Sequence, residues 1–412
     1  MSSGKITYSL GFLPTYVFRE IVQLNSEGFE IDIFLPRSTS TSKFWLDIVP
    51  RHKLADDITI KQTLTSKFIT CSIPSLALLF MKECIPVFLR HPAKFCSNAF
   101  LSIRKRSFRY FLLGASLAGH IDRRTLFIHS HFAETSAFAA MWAGRILRKP
   151  FTLTTHAVDI FVPPREDMIR FLLEEADRIF TISEFNRKYI SHRYGEHLVD
   201  KIDVTYLGLD FSSLPERAGS PGTIPNIICT ASGLGEKKGV PVLLEACRIL
   251  KERNLQFSCR VIGSDTSGLL LDGFRKQVEK LGLGDLLRFE GLLKSDEVMD
   301  RLAEADIFVL PSVCAQNGDM DGIPVSLMES MAVGVPTVST SLSGIPELIE
   351  NWKDGILVPP GNSEELANAI EKLLMNADFA KELGRQGSAK VRNQFNVTGY
   401  VGVLLKKWAE YL

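Results

Sequence analysis

Gly318 to Thr337 reads GDMDGIPVSLMESMAVGVPT and carries the densest chemistry in the chain. Two acids, then Gly322-Ile323-Pro324, then a helical pattern put carboxylates just ahead of a helix start, where Pro suits the first turn and backbone N–H groups can hold an anion. Asp321 falls before that helix and Glu329 about two turns beyond it, so the two carboxylates have different surroundings. Asp319-Met320-Asp321 is also a D-x-D triplet, a pattern that can hold a divalent ion against a diphosphate. Upstream, Glu236-Lys237-Lys238-Gly239 lies between a strand pattern and a helix pattern, so Lys238 can meet phosphate oxygens; the other reading is a solvated lysine pair at a helix start. Of the eight histidines, His129, His131 and His156 each fall at or just past the carboxyl end of an apolar strand pattern, a placement that favours function over core. Their spacing matches no metal-ligand motif.

Elements that would position these residues alternate between short apolar runs and amphipathic segments, the pattern of parallel sheets with crossover helices. Strands are expected at Lys5–Leu10, Glu30–Leu35, Leu126–His129, Phe151–Thr155, Arg178–Ile182 and Ile202–Tyr206, with helices at Tyr16–Asn25, Thr135–Leu147 and Asp167–Glu175. Residues 211–225, rich in Ser, Pro and Gly, break the series. It restarts with strands at Asn226–Thr230, Phe257–Ile262, Leu287–Phe289, Asp306–Leu310 and Thr337–Ser339. Helices are expected there at Val240–Glu252, Phe274–Leu281, Asp296–Ala303 and Ser363–Asn376. The fold class is therefore α/β, with two doubly wound, Rossmann-like domains at 1–210 and 211–390 and a C-terminal helix over 391–412 packing back toward the first. Two such domains facing each other would hold a ligand in the cleft beyond their strand ends.

Composition excludes a largely disordered chain: of 412 residues, 45% are hydrophobic and 23% charged, near the globular average. The net charge of +1 gives no global pull toward nucleic acid, and no nucleic-acid motif of the common types is present. The charge is unevenly spread, with 16 Lys and Arg against 5 Asp and Glu in residues 51–150. A basic face there would meet an anionic surface or substrate, or simply be solvated. Arg104-Lys105-Arg106-Ser107-Phe108-Arg109-Tyr110-Phe111 combines cations with aromatic anchors suited to anionic lipid head groups; an ordinary solvated helix with an apolar underside fits it equally. The seven cysteines form no C-x-x-C pair and read as reduced core residues of a cytosolic protein. No apolar run is long enough to cross a bilayer, the longest, Cys71–Met81, ending at Lys82 and Glu83. The start of the chain lacks the pattern of a secretory signal.

Asp321 and Glu329 resemble the E-x(7)-E signature of glycosyltransferase family 4. The resemblance continues through Gly334-Val335-Pro336, Ser343-Gly344-Ile345-Pro346-Glu347, Asp354-Gly355, Val358-Pro359, Glu236–Gly239, the run THAVD around His156 and the Arg19-Glu20 helix. It implies a GT-B fold and transfer of a sugar from a nucleotide-sugar to an acceptor, with retention at the anomeric carbon and neither metal nor other cofactor. Carried over by position, Glu329 would bind the donor ribose hydroxyls and Asp321 the hydroxyls of the donor sugar. The backbone of Gly322, Ile323 and Pro324 would orient the transferred group, and Lys238 would take up leaving-group charge. His156 would contact the donor sugar across the cleft, with His131 and Arg19 on the acceptor side. A carboxylate can grip a vicinal diol through both oxygens, and holding the sugar supplies proximity and orientation.

Departures from the family pattern are informative. Asp321 is one methylene shorter than the usual Glu, Ala157 replaces a usual Gly, and Gly233 stands where an Arg usually assists, leaving Lys237 or backbone N–H groups to compensate. The turn Leu10-Gly11-Phe12-Leu13-Pro14 lacks the frequent Gly-Gly and resembles the subgroup acting in exopolysaccharide assembly, with Gly11 close to diphosphate or acceptor. The implied substrates are a UDP-sugar ahead of GDP-mannose as donor, and a glycan or polyprenyl-linked glycan as acceptor. The implied location is the cytoplasm or the inner face of the cytoplasmic membrane. Two competing readings remain at this point: a GT-B epimerase or phosphorylase, and a nucleotide-sugar-binding protein without catalysis.

Overall fold

A computed structural model describes residues 4–36, 57–63, 80–212, 214–218, 224–265 and 267–411. Part of the basic 51–150 region, Cys71 and most of the apolar run before Met81 lie outside them. The chain divides into two compact units, Met1–Gly208 with Val397–Leu412, and Leu209–Asn396.

The first unit is built on a seven-stranded sheet in the order β3-β2-β1-β4-β5-β6-β7. Its strands are β1 (Lys5–Ser9), β2 (Glu30–Pro36), β3 (Ile58–Thr63), β4 (Thr125–His131), β5 (Phe151–Thr155), β6 (Arg178–Thr181) and β7 (Ile202–Val204). All pairings are parallel. Winding proceeds outward from β1 through β2 to β3 and then restarts at β4 on the other side, which makes the β1/β4 boundary the switch point where ligands of such sheets bind. β1, β4 and β5 are buried almost throughout, as strands covered by helices on both faces must be. Strand β3 is absent from the sequence reading, since ITIKQT is too polar to register as an apolar run.

Residues 82–115 form a helical hairpin and its approach, with helices Ile85–Arg90, Pro92–Arg104 and Phe108–His120. The last packs closely on helix Thr135–Leu147. A Cβ at Gly114 would stand 2.3 Å from the Trp142 Cβ, so glycine is required for this approach. Phe95, Phe111 and Trp142 meet edge to face and tie the hairpin to the core. Helix Val397–Trp408 also belongs to this unit. Its Trp408 is fully buried against Phe127, His129 and Phe180.

The second unit repeats the plan with six strands in the order β10-β9-β8-β11-β12-β13. These are β8 (Asn226–Thr230), β9 (Ser258–Ile262), β10 (Leu287–Gly291), β11 (Ile307–Leu310), β12 (Thr337–Thr340) and β13 (Ile356–Val358). All are again parallel, and the switch point lies between β8 and β11. The cysteines are not uniformly core residues. Cys84, Cys229, Cys247 and Cys259 are buried, whereas Cys96 and Cys314 are exposed.

Candidate active site

In the second unit, the segments after β8 and β11 meet at the switch point. Gly239 makes this possible. Its φ is +64°, and a Cβ there would lie 1.8 Å from the Pro311 carbonyl oxygen, so only glycine lets the Glu236–Lys238 turn close on the end of β11. Backbone contacts lock the two together. Val313 N–H donates to the Lys237 carbonyl at 2.9 Å, and Gln316 N–H donates to Glu236 Oε2 at 3.2 Å.

Two lysines thereby face two aspartates. Lys238 Nζ is 2.7 Å from Asp321 Oδ2, while Lys237 Nζ lies 3.1 Å from Asp319 Oδ2 and 3.6 Å from Asp321 Oδ1. Asp321 is buried and also lies 3.4 Å from the Ser312 hydroxyl. In the D-x-D triplet both carboxylates are therefore matched by ammonium groups, a charge balance that suits sharing lysines with an anion better than collecting a divalent cation. Gly322, Ile323 and Pro324 are buried and lead into helix Val325–Val333, whose N-terminus has no side-chain cap. Glu329 is the fifth residue of this helix and half-buried. It sits about one turn into the helix, because the helix begins only after Pro324.

Gly233 has φ +77°, and a Cβ there would meet nothing within 4 Å. The site of the missing cation is thus open in space but set in a backbone conformation that favours glycine. A groove lined by Arg217, Pro225, Asp306 and Lys381 lies where β8 and β11 begin, the end opposite to that at which doubly wound sheets bind ligands.

In the first unit, Gly11 follows β1, His131 ends β4 and His156 follows β5, so all three stand at the carboxyl edge beside the β1/β4 switch point. Gly11 keeps a negative φ, with Glu134 Oε2 3.7 Å from where its Cβ would be. The loop around His156 is closed by Asp159. That carboxylate accepts from the backbone N–H of Ala133 at 3.0 Å, of His156 at 3.1 Å and of Ala157 at 2.8 Å. Ala157 in place of glycine is accommodated because its φ is −150°, outside the left-handed region that favours glycine. Burial raises Asp159 above its ordinary value, against those same three hydrogen bonds.

His156 is buried, its ring stacked on Phe132 at 4.2 Å and its Nε2 3.0 Å from His131 Nδ1. Burial, with His131 and His129 beside it, holds His156 well below its ordinary value, so it is neutral. His131 Nε2 in turn lies 3.2 Å from Glu20 Oε2. Glu20 also accepts from the Tyr8 and Tyr400 hydroxyls, each at 2.5 Å. Burial would raise its carboxyl, but the facing His131 and His129, with the Tyr400 hydroxyl, bring it down to about 2. His129 is pushed down to about 3, by burial first and then by His131.

Sequence reasoning named His131, His156 and Arg19 but assigned no part to Glu20, Tyr8, Tyr400 or Asp159. The available signal was a Glu on an otherwise apolar helix face, at the spacing of Val17, Ile21 and Leu24. Arg19 itself is half-buried on helix Thr15–Ser26. Glu20, His129 and His131 present ligand-type atoms within 4.8 Å of one another. Each also has hydrogen-bond partners within the protein, His129 using Nδ1 toward Thr152 at 2.8 Å and Nε2 toward Thr154 at 3.1 Å.

Two parallel doubly wound sheets, each with its polar cluster at the switch point, define a GT-B protein. Solved structures agree over the whole chain: a glycosyltransferase from Rickettsia africae ESF-5 superposes with a TM-score of 0.72 at 17% identity, covering 100% of this chain and 99% of its own. HepE of Anabaena, solved with UDP-glucose, gives 0.72 at 16% identity, covering 99% and 100%. The family model for glycosyl transferases group 1 matches residues 216–390, and that for glycosyltransferase family 4 matches residues 90–213. The chain thus carries a glycosyltransferase family 4 domain followed by a glycosyl transferases group 1 domain.

Among curated proteins, it is 39% identical over 198 residues to WcaL of Escherichia coli, a protein named for colanic acid biosynthesis, and 39% identical over 197 residues to the amylovoran biosynthesis glycosyltransferase AmsK of Erwinia amylovora. Each match covers 48% of this chain and 48% of the relative. The matched segment thus spans about half the length of those relatives.

Proposed function

We propose that this chain is a retaining, metal-independent glycosyltransferase that moves a sugar from a nucleotide-sugar to a glycan or polyprenyl-linked glycan during extracellular polysaccharide assembly. The observation that carries the reading is the Lys237/Lys238 pair set against Asp321, with Glu329 on the helix that follows. One switch point thereby offers cations for a diphosphate and carboxylates for sugar hydroxyls. In this reading the donor occupies the second unit and the acceptor the first. Glu329 binds the donor ribose, Asp321 and the Gly322–Pro324 backbone hold its sugar, and Lys238, with Lys237, stabilises the departing diphosphate. Gly11, His131 and Arg19 line the acceptor side, and His156 meets the reacting sugar. The lysine–aspartate charge match supports a mechanism without a metal.

A UDP-sugar is the first donor to test and GDP-mannose the second. A mannosyltransferase of Mycobacterium tuberculosis named as GDP-mannose-dependent is 25% identical over 59% of this chain and 65% of its own length. The exopolysaccharide reading is supported by the WcaL and AmsK matches.

Among the described residues no helix is long and apolar enough to cross a membrane. The helical hairpin nonetheless exposes Met81, Leu89, Phe100 and Ile103 at 54%, 71%, 65% and 60%, with Arg104, Lys105, Arg106 and Arg109 also exposed. Apolar side chains fringed by cations favour peripheral attachment to an anionic membrane.

The test is Glu329→Ala. Donor binding and turnover should fall below detection while the circular dichroism and melting temperature stay near wild type. A folded variant with wild-type turnover would remove the main support for the proposal. Donor hydrolysis by the wild-type protein separates the enzyme from a binding protein without catalysis, the reading that Gly233 favours.

A further inference from the structure

His156 ends a hydrogen-bonded chain that begins at a fully buried carboxylate. Glu20 is ionised, and an ionised carboxylate only accepts. Tyr8 donates to its Oε1 and Tyr400 to its Oε2, and His131 Nε2 lies within 3.3 Å of both oxygens. His131 Nε2 must therefore carry a hydrogen. The next link, His131 Nδ1 to His156 Nε2 at 3.0 Å, can hold only one hydrogen between two nitrogens. A neutral His156 has a single N–H to place. If its Nε2 carries that hydrogen, His131 Nδ1 accepts it, and every nitrogen and oxygen of this link is satisfied with both imidazoles neutral. The remaining ring nitrogen, Nδ1, has no hydrogen-bond partner among the described residues.

We propose that Glu20 and His131 are positioning residues that fix the tautomer of His156, so that its Nε2–H is spent on His131 and its Nδ1 is presented as a bare acceptor. A hydroxyl of the reacting sugar can then donate to Nδ1, while a group that only accepts cannot. This last step rests on the function proposed above; the proton arrangement itself does not. Buried histidines are commonly oriented in this way by a carboxylate behind them. Here the carboxylate works through a second imidazole and is itself clamped by Tyr8 from β1 and Tyr400 from the C-terminal helix.

The experiment is long-range 15N–1H correlation NMR on the full-length protein labelled at histidine, with the His156 signals assigned by their loss in His156→Gln. Wild type should show a protonated Nε2 and an unprotonated Nδ1. Glu20→Gln, which keeps the shape but can also donate, should convert His156 to a mixture of tautomers or to the opposite one. It should also lower kcat at least about tenfold with donor KM changed less than about threefold, because orientation and not binding is lost. Glu20→Asp, which restores the carboxylate, should recover the wild-type tautomer. If Glu20→Gln does not fold, His131→Gln cuts the same chain one link nearer and must give the same loss of tautomer preference.

A wild-type His156 protonated on Nδ1 overturns the proposal, as does a folded Glu20→Gln or His131→Gln protein whose His156 tautomer is unchanged. Absence of turnover with any nucleotide-sugar would instead count against the proposed function, and the NMR result would still decide the proton arrangement.

Discussion

Lys238 is tied to Asp321 at 2.7 Å, so a diphosphate can engage it only by loosening or sharing that contact. Both side chains are largely buried, 15% and 11% exposed. The pair falls between an exposed bridge and a fully buried one, with a net contribution of roughly 1–2 kcal/mol. Asp321→Asn removes the competitor and its negative charge, and should tighten binding of UDP, or of GDP if that is the matching base, by about fivefold. The same change should abolish turnover, since the amide no longer grips sugar hydroxyls as the carboxylate does. Lys238→Ala should act in the opposite direction on the diphosphate. Loss of a charge-assisted contact costs about 1.5–3 kcal/mol, or roughly ten- to a hundredfold in affinity. Lys237, 3.6 Å from the same aspartate, places the expected effect near the lower end. Gly233→Arg supplies the absent cation, but a side chain at φ +77° costs roughly 1–2 kcal/mol, so any gain in affinity should come with a lower unfolding midpoint. Isothermal titration with both nucleoside diphosphates, beside urea unfolding of each variant, measures all of this. Unchanged affinity in Lys238→Ala would mean that the Glu236–Gly239 turn does not hold the diphosphate. Weaker diphosphate binding in Asp321→Asn would mean that Asp321 does not restrain the lysine.

Chelation is expected to leave donor turnover unchanged; loss with EDTA and recovery with Mg2+ or Mn2+ would assign the Asp319–Asp321 triplet to a metal, and zinc found by elemental analysis would assign one to Glu20, His129 and His131. Acid should destabilise the fold in two stages. Buried His129, lowered to about 3, is protonated only on unfolding between its ordinary 6.5 and about 3, so stability falls by up to about 1.4 kcal/mol per pH unit across that window. Glu20, lowered to about 2, contributes stability that is present above about 4.5 and lost as pH falls toward 2; a thermal melt series from pH 7 to 3 with a flat midpoint would refute both readings. Sedimentation with vesicles should show binding to anionic but not neutral lipid, weakening with salt and lost on Phe100→Asp with Ile103→Asp; equal partitioning onto both lipids would refute the membrane surface.

The α/β class and both sheets were legible because parallel strands buried on both faces are short runs of apolar and β-branched residues, as in Phe151–Thr155 and Asn226–Thr230, which the structure reproduces to the residue. Strand β3 escaped because an edge strand needs little apolar content, and β13, although its Ile-Leu-Val is wholly apolar, because three residues are too few to register as a run. The Asp321/Glu329 spacing was likewise visible, since both residues belong to one loop-and-helix segment whose geometry is local.

Which partner each of these groups meets was decided only by the tertiary structure. Lys238 and Asp321 are 83 residues apart, and they are joined because Gly239 lets one turn close against Pro311. Glu20, His131 and His156 come from a helix, a strand and a loop that adjoin only in the β1/β4/β5 order of the sheet, and Tyr400 arrives from 380 residues further along the chain. Sequence periodicity reports which face of an element is apolar, because that depends on neighbours three or four residues away. Hydrogen-bond pairing across elements depends on strand order and register, which no local pattern encodes. For that reason a glutamate read as one acid on a helix became the buried end of a proton-positioning chain.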